Sequence, residues 1–152
     1  MLARSAAVTA LVASLFSVMG WQAHAWQFST RAPLCLLVHE EAQGRVIVSY
    51  DTLAGIYAIS VQRSTATWPE APVFSMRFEG ERGLTISTDR HRLNPGQSEV
   101  SVTDTGFGNV LNGLEFNRRA TALLGDQAVG FDLSGAAEGV QAFRACTTAP
   151  AV

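Results

Sequence analysis

The chain has 152 residues, a formal net charge of −2 and no lysine. Its basic residues are all arginines, scattered without runs, so it lacks the polybasic patch typical of proteins that bind nucleic acid or anionic membranes. The absence of lysine also excludes a P-loop, whose lysine contacts the β- and γ-phosphates of a nucleotide.

Residues 1–25 have the order of a cleavable secretory signal peptide. Arg4 supplies a positive charge, an apolar run covers residues 6–18, and Ala23-His24-Ala25 places small residues at positions −3 and −1 of a cleavage site. The apolar run is shorter than the roughly 20 residues of a membrane span, which favours cleavage over an uncleaved anchor. We therefore expect a periplasmic or secreted protein that begins at Trp26 and has no membrane span after cleavage.

The first part of the mature chain is rich in β-forming residues. Short runs bounded by turn signals predict six strands, at residues 34–40, 45–51, 56–62, 73–79, 84–88 and 99–103. Their regular spacing favours an antiparallel meander. The prolines in residues 68–72 interrupt the series, because proline lacks the donor that a ladder needs.

The pattern then changes to a helical period. Apolar residues at i, i+3, i+4 and i+7 predict a helix along Phe107, Val110, Leu111 and Leu114. Asp104 or Thr105 is the expected N-cap of this helix.

Two more strands, at residues 121–124 and 128–133, are predicted after this helix. A last helix is expected from an N-cap at Ser134 to Cys146, followed by a loose tail at residues 147–152. Together these elements predict one domain at residues 26–146. It belongs to the mostly-β α+β class, an antiparallel sheet or sandwich of about eight strands with two short helices.

The two cysteines lie near the ends of this domain. In an oxidising compartment, an even pair such as Cys35 and Cys146 is most simply a disulfide. A catalytic thiol is the alternative, but it needs a low-pKa environment, which the neighbouring residues do not supply.

Asp104-Thr105-Gly106 is the sharpest local motif. Aspartic peptidases place Asp-Thr-Gly at a strand end, where two such aspartates share one proton, and the mature chain has about the length of a homodimeric enzyme of this kind. However, the motif comes late in the domain, and Phe107 stands where a small residue normally follows. Capping of the following helix is the simpler interpretation, with no catalytic residue.

A second polar group lies just before the Asn94-Pro95-Gly96 turn. Arg90, His91 and Arg92 are candidates for an anion contact. A serine triad formed with Ser87 and Asp89 is disfavoured, because neighbours on one strand alternate between its faces. The simplest alternative is a solvated, charged loop.

The sequence offers two weaker candidates. Trp26 and Trp68 could line a ligand groove, although core packing is the more frequent role of such residues. His39, followed by two glutamates, does not have the spacing of a metal site. We expect no metal and no cofactor.

Four segments carry a resemblance to other proteins. They read GLTISTDRH (83–91), TDTGFGNVLNGLE (103–115), FDLSG (131–135) and AFRAC (142–146). Together they resemble a group of small exported bacterial proteins of unknown function, some of which carry the label of the helicase component of the ABC excinuclease, a DNA-repair enzyme. The missing P-loop and the export signal do not support that label. The last two segments are also similar to the C-terminal end of invasion-associated locus B proteins, a periplasmic family.

Neither resemblance implies catalytic residues. The sequence therefore favours a non-catalytic exported module that binds an envelope protein, a peptide or a small molecule, including action as an inhibitor. A small hydrolase that uses Asp104 in a homodimeric aspartic site is the alternative.

Overall fold

The computed structural model describes residues 25–149. The predicted signal peptide, apart from Ala25, lies outside the described residues, as do the last three residues of the predicted tail.

Ten strands and two helices make up the described chain. In chain order they are β1 (Gln27–Arg31), β2 (Leu34–Glu41), β3 (Gly44–Asp51), β4 (Ile56–Arg63), β5 (Phe74–Gly80), β6 (Leu84–Thr88), β7 (Arg92–Leu93), β8 (Glu99–Asp104), α1 (Gly108–Phe116), β9 (Asn117–Leu124), β10 (Gln127–Asp132) and α2 (Ala136–Thr148). The strands form a six-stranded sheet A, ordered β1-β2-β3-β4-β8-β7, and a four-stranded sheet B, ordered β10-β9-β5-β6. The predicted mostly-β fold with two helices is confirmed.

The two sheets share one hydrophobic core. Alternate residues of each strand point into it, as the period of two requires. On sheet A, for example, Val48 and Val61 are fully buried, and on sheet B so is Leu124, while Phe78 is 1% exposed. One face of each sheet is therefore apolar, and the described residues form a single domain.

The predicted meander is correct for β2, β3 and β4, which are consecutive neighbours, and β5 and β6 also pair as predicted, but in the second sheet. After β4 the chain leaves sheet A and enters sheet B at β5, which pairs with β6 and β9. Trp68 anchors this crossing: its backbone N–H donates to the Gln97 oxygen over 2.7 Å and its Nε1 donates to the Val61 oxygen over 3.0 Å. Residues 69–72, with two prolines, are in neither sheet.

Both predicted helices exist, but both predicted N-caps are wrong. The N-cap of α1 is Phe107, and the N-cap of α2 is Gly135; neither helix has a side-chain cap. Gly135 has a φ of 76°, a left-handed conformation that favours glycine. The Asp104 carboxylate is three residues too early for α1 and makes other contacts. The Ser134 N–H donates to Asp132 Oδ1 over 2.6 Å, before the helix begins.

Helix α2 covers β1 and β2 and contacts α1. Its Cys146 forms a disulfide with Cys35 of β2, across 111 residues of sequence, so the predicted pairing is confirmed. The helix continues to Thr148, two residues beyond its expected end. Residues 147 and 148 are thus helical, and the loose tail predicted there is wrong for them.

Within residues 25–149, no helix has the length and apolar character that crossing a membrane would require.

Candidate functional site

A cavity of about 490 Å³ lies between the two sheets, on the side where β6 and β8 approach α1. Strands β4 and β8 supply its sheet A side, and β5 and β6 supply its sheet B side. Two hydroxyl residues of β6, Ser87 and Thr88, line it together with seven apolar residues: Ile59, Phe74, Met76, Ile86, Val102, Phe107 and Val110. The cavity has the size of a small-molecule site.

The mouth of the cavity is polar. We use this term for Arg90, Asp104, Gly106, Gly108 and Asn109, which line the cavity and are partly or fully exposed. The side chain of Arg90 is 65% exposed and that of Asp104 is 36% exposed. The arrangement combines an apolar interior with charged and hydrogen-bonding groups at the entrance.

Arg90 and Asp104 form an ion pair across the mouth. Arg90 follows the end of β6 and Asp104 is the last residue of β8, so the pair joins sheet B to sheet A. The distance from Arg90 Nη2 to Asp104 Oδ2 is 2.7 Å. The backbone N–H of Arg90 donates to Thr88 Oγ1 over 3.1 Å, which fixes the start of the loop that carries the guanidinium.

The pKa of the Asp104 carboxyl is lowered. The largest cause is the hydrogen bond from the Thr105 backbone N–H, which reaches Asp104 Oδ1 over 2.7 Å, followed by the bond from Arg90. Asp104 is therefore ionised at neutral pH and carries no proton to share.

These contacts give Asp104 an environment unlike that of an aspartic dyad. In the dyad, a second carboxylate close by keeps one proton on the pair. Here the nearest charged partner is a guanidinium, and Asp104 is the one carboxylate among the described residues that line the cavity. The peptidase alternative is homodimeric and takes its second carboxylate from another copy of the chain, so it stays a prediction.

Of the three residues predicted to contact an anion, Arg90 alone lines the cavity. The His91 ring is partly buried and lies 6.3 Å from the Phe74 ring, measured between centroids. Arg92 is exposed on β7, in register with Ser101 of β8. An anion contact by the whole group stays a prediction, with Arg90 in the position most suited to it.

Ser87 and Ser75 share a hydrogen bond of 2.7 Å between their hydroxyl oxygens, across β6 and β5. Among residues 25–149 no hydrogen bond joins Ser87 to Asp89 or His91, so the structure does not assemble a serine triad there.

The two tryptophans predicted to line a ligand groove are not brought into one groove, although Trp26 lines a separate surface cavity formed by residues of β1, β2 and β3. Trp68 is fully buried in the core, and the Arg63 guanidinium lies 5.2 Å from the centre of its ring. Trp26 is 8% exposed, stacks on His39 at 4.6 Å between centroids, and donates from Nε1 to the Asp132 oxygen over 3.0 Å. Each indole N–H is bonded to a backbone carbonyl, so both rings contribute to packing and to the hydrogen bonds of the fold.

His39 belongs to a hydrogen-bonded network rather than a metal site. Its Nε2 lies 2.9 Å from Glu41 Oε1, and that oxygen also accepts the Asp132 N–H over 2.6 Å. Among the described residues no group of three or more His, Cys, Asp or Glu side chains could hold a metal ion. The network ties the β2–β3 hairpin to the end of β10.

Sequence reasoning missed the cavity itself. Strand alternation predicts Ile86 and Val102 only as ordinary inward residues, and alternation along one strand does not reveal a gap between sheets. The Arg90–Asp104 pair was also missed, because it joins two motifs that the sequence separates by 14 residues. The only feature of the sequence that could have indicated this pair is the opposite charge of two residues that each follow or end a predicted strand.

No family model matches the chain, and no curated protein or solved structure is significantly similar to it.

Proposed function

We propose that this protein is a non-catalytic, exported binding module that holds a small amphipathic molecule between its two sheets. The cavity of about 490 Å³ carries this proposal, since an apolar wall and a polar mouth fit a ligand of mixed character. A small molecule is favoured over an envelope protein or a peptide, because the cavity is concave and its most buried lining residues, which include Ile59, Phe74 and Met76, are apolar.

The remaining contacts support binding rather than catalysis. Asp104 is held as an ionised partner of Arg90, and the described residues that line the cavity include no histidine or cysteine. The hydroxyls of the lining belong to Ser87, which is bonded to Ser75, and to Thr88, which accepts the Arg90 N–H. Among the described residues neither hydroxyl is hydrogen-bonded to an acidic or imidazole side chain that could act as its base. The disulfide between Cys35 and Cys146 supports the export part of the proposal, because such bonds persist in oxidising compartments.

The proposal is tested by filling the cavity. Val102 lines it, whereas the next residue on β8, Thr103, is exposed and points to the other face of the strand. Val102→Phe should lower the affinity for the amphipathic fluorescent probe 1-anilinonaphthalene-8-sulfonate at least tenfold, and Thr103→Phe should leave it unchanged.

Circular dichroism of both variants checks that the fold persists. If Val102→Phe binds the probe as well as the native protein, the probe does not use this cavity and the proposal fails. Native mass spectrometry of protein recovered from the periplasm adds a second readout. A bound small molecule lost in Val102→Phe supports the proposal, whereas a bare dimer with peptidase activity abolished by Asp104→Ala would contradict it.

A further inference from the structure

We infer that the ligand is a medium-chain aliphatic carboxylate, whose head is held by Arg90 and whose chain fills the cavity. This inference rests on the proposed function and adds the chemical class of the ligand. It is carried by the surplus of hydrogen-bond donors at the mouth and by the character of the wall behind it.

Hydrogen-bond donors outnumber their partners at the mouth, as a comparison of the bonds made by Arg90 and Asp104 shows. A guanidinium has five N–H donors, and among the described residues one of them has an acceptor, Asp104 Oδ2 at 2.7 Å. Asp104 is better supplied: Oδ2 accepts from Arg90, and Oδ1 accepts the Thr105 N–H over 2.7 Å. The other N–H donors of Arg90, whose side chain is 65% exposed, face the solvent at the mouth, where a ligand head rich in acceptors can reach them.

The start of α1 adds further N–H donors and positive charge to the mouth. The first turn of a helix leaves N–H groups without intrahelical partners and carries a partial positive charge. In α1 this turn lines the cavity, contains no acidic residue and has no side-chain cap. The positive charge of Arg90 and the helix end together outweigh the single negative charge of Asp104, so an anionic head is favoured.

The apolar wall favours a hydrocarbon chain over a peptide as the part of the ligand that follows the anionic head. The side chains of Ile59, Met76, Ile86 and Val102 are apolar, and the hydroxyls of Ser87 and Thr88 are already bonded within the protein. A peptide group buried against such a wall loses its hydrogen bonds to water without replacing them, which is unfavourable. A hydrocarbon chain meets no such cost. Each methylene that it buries should lower the dissociation constant about fourfold until the cavity is full.

The experiment compares decanoate with 1-decanol by isothermal titration calorimetry on the full mature protein. The two probes share a chain and differ in the charge of the head. The native protein should bind decanoate at least tenfold more tightly, as expected for a hydrogen bond to a charged group. Octanoate should bind about fifteenfold more weakly than decanoate, because it has two fewer methylenes.

Two variants should act in opposite directions. Arg90→Gln should abolish the preference for decanoate and leave the affinity for 1-decanol unchanged. Asp104→Asn should raise the affinity for decanoate, because it releases Arg90 and removes the repulsion between two carboxylates. A merely structural role of the ion pair would weaken binding in both variants. Arg92→Gln, two residues away and not part of the cavity, is the matched control.

The outcomes separate the two proposals. Equal binding of decanoate and 1-decanol, with no effect of Arg90→Gln, would overturn the carboxylate inference and leave the cavity as a binding site. Tighter binding of acetyl-Leu-Leu than of decanoate would overturn it in favour of a peptide C-terminus. Failure of both decanoate and 1-decanol to bind overturns it as well. Whether the proposed function then also fails is decided separately by the Val102→Phe probe titration.

Discussion

At the scale of single residues, much of the polar chemistry of this protein ties loops to strand ends. The end of β10 is an example. The Asp132 N–H donates to Glu41 of the β2–β3 hairpin, the Asp132 oxygen accepts the Trp26 indole N–H, and the Asp132 carboxylate accepts the Ser134 N–H. One exposed aspartate thus joins the end of β10 to two segments that are distant in sequence, at Trp26 and Glu41, and to the turn that follows it.

The Asp132 carboxyl predicts a specific dependence of stability on pH. Its pKa is lowered, first by the hydrogen bond from the Ser134 side chain and then by the Ser134 backbone N–H, with smaller contributions from His39 and Arg119. Because the folded pKa lies below the unfolded one, the carboxylate stabilises the fold above the unfolded pKa. This stabilisation is lost as the pH falls through the folded pKa.

We therefore expect Asp132→Asn to lower the urea midpoint equally at pH 7 and pH 5, and the difference from the native protein to shrink below about pH 4. Asp126→Asn, in the turn between β9 and β10, is the control and should change little. A difference that stays constant down to pH 3 would show that the charge of Asp132 is not what stabilises the turn.

At the scale of elements, the close approach of α1 to sheet B depends on a glycine. A Cβ atom added to Gly113 would lie 2.5–2.6 Å from three atoms of the Phe78 ring, whereas a Cβ added to Gly108 meets nothing within 4 Å. Phe78 is in the core at 1% exposure and has little room to move. The small residue sets the distance between the helix and β5.

Gly113→Ala should therefore destabilise the protein by about 1–3 kcal/mol, the usual cost of overpacking, measured by urea denaturation. Gly108→Ala in the same helix is the matched control and should be neutral or stabilising by up to about 1 kcal/mol. The double variant Gly113→Ala/Phe78→Leu should recover part of the loss. Equal stability of the two single variants would disprove tight packing at Gly113.

The elements also show what local pattern can and cannot predict. Alternation located β2, β3 and β4 closely, because one face of each is buried and the period of two is clear. It missed β1, whose five residues are mostly exposed, and the two-residue β7. Pairing with a neighbour defines these edge strands, and a single strand's sequence does not contain that information.

The helix starts were missed for a related reason. Asp104 and Ser134 are good N-cap residues by type, but the Asp104 carboxylate is bonded to Arg90, which comes from another sheet. Both the side chain and the backbone N–H of Ser134 are hydrogen-bonded to Asp132 in the preceding turn. For Asp104 a tertiary contact outweighed the local preference for an N-cap. For Ser134 a tight turn did so. The candidate site was the least predictable part, since a cavity is a property of two sheets together.

At the scale of the whole molecule, the disulfide and the cavity lie at different places in the sandwich. Cys35 is on β2 and the cavity uses β4 and β8, with β3 between β2 and β4 in sheet A. Neighbouring strands are about 4.8 Å apart, so β2 is roughly 14 Å from β8. The bond fastens α2 to one side of the sheet, and the proposed binding site opens on the other.

This separation predicts that the disulfide controls stability without controlling binding. Closing a loop of about 100 residues removes conformational entropy from the unfolded chain worth up to about 4.7 kcal/mol, and the bond here spans 111 residues. The variant Cys35→Ser/Cys146→Ser should lower the melting temperature by on the order of 10 °C or more. Because β4, the strand of the cavity nearest to Cys35, is two strands from β2, the affinity of the cavity for the fluorescent probe at 20 °C should change less than twofold.

The predicted loss of stability is checked by calorimetry, which measures the melting temperature of the native protein with and without a reductant. The double serine variant is the control, because a reductant should not change its melting temperature. Thiols that react freely in the unreduced native protein would contradict the bond itself. A large loss of probe affinity in a folded double variant would show instead that α2, held in place by the bond, sets the width of the cavity through its contact with α1. The same pair of measurements therefore decides whether the disulfide belongs to the fold alone or also to the site.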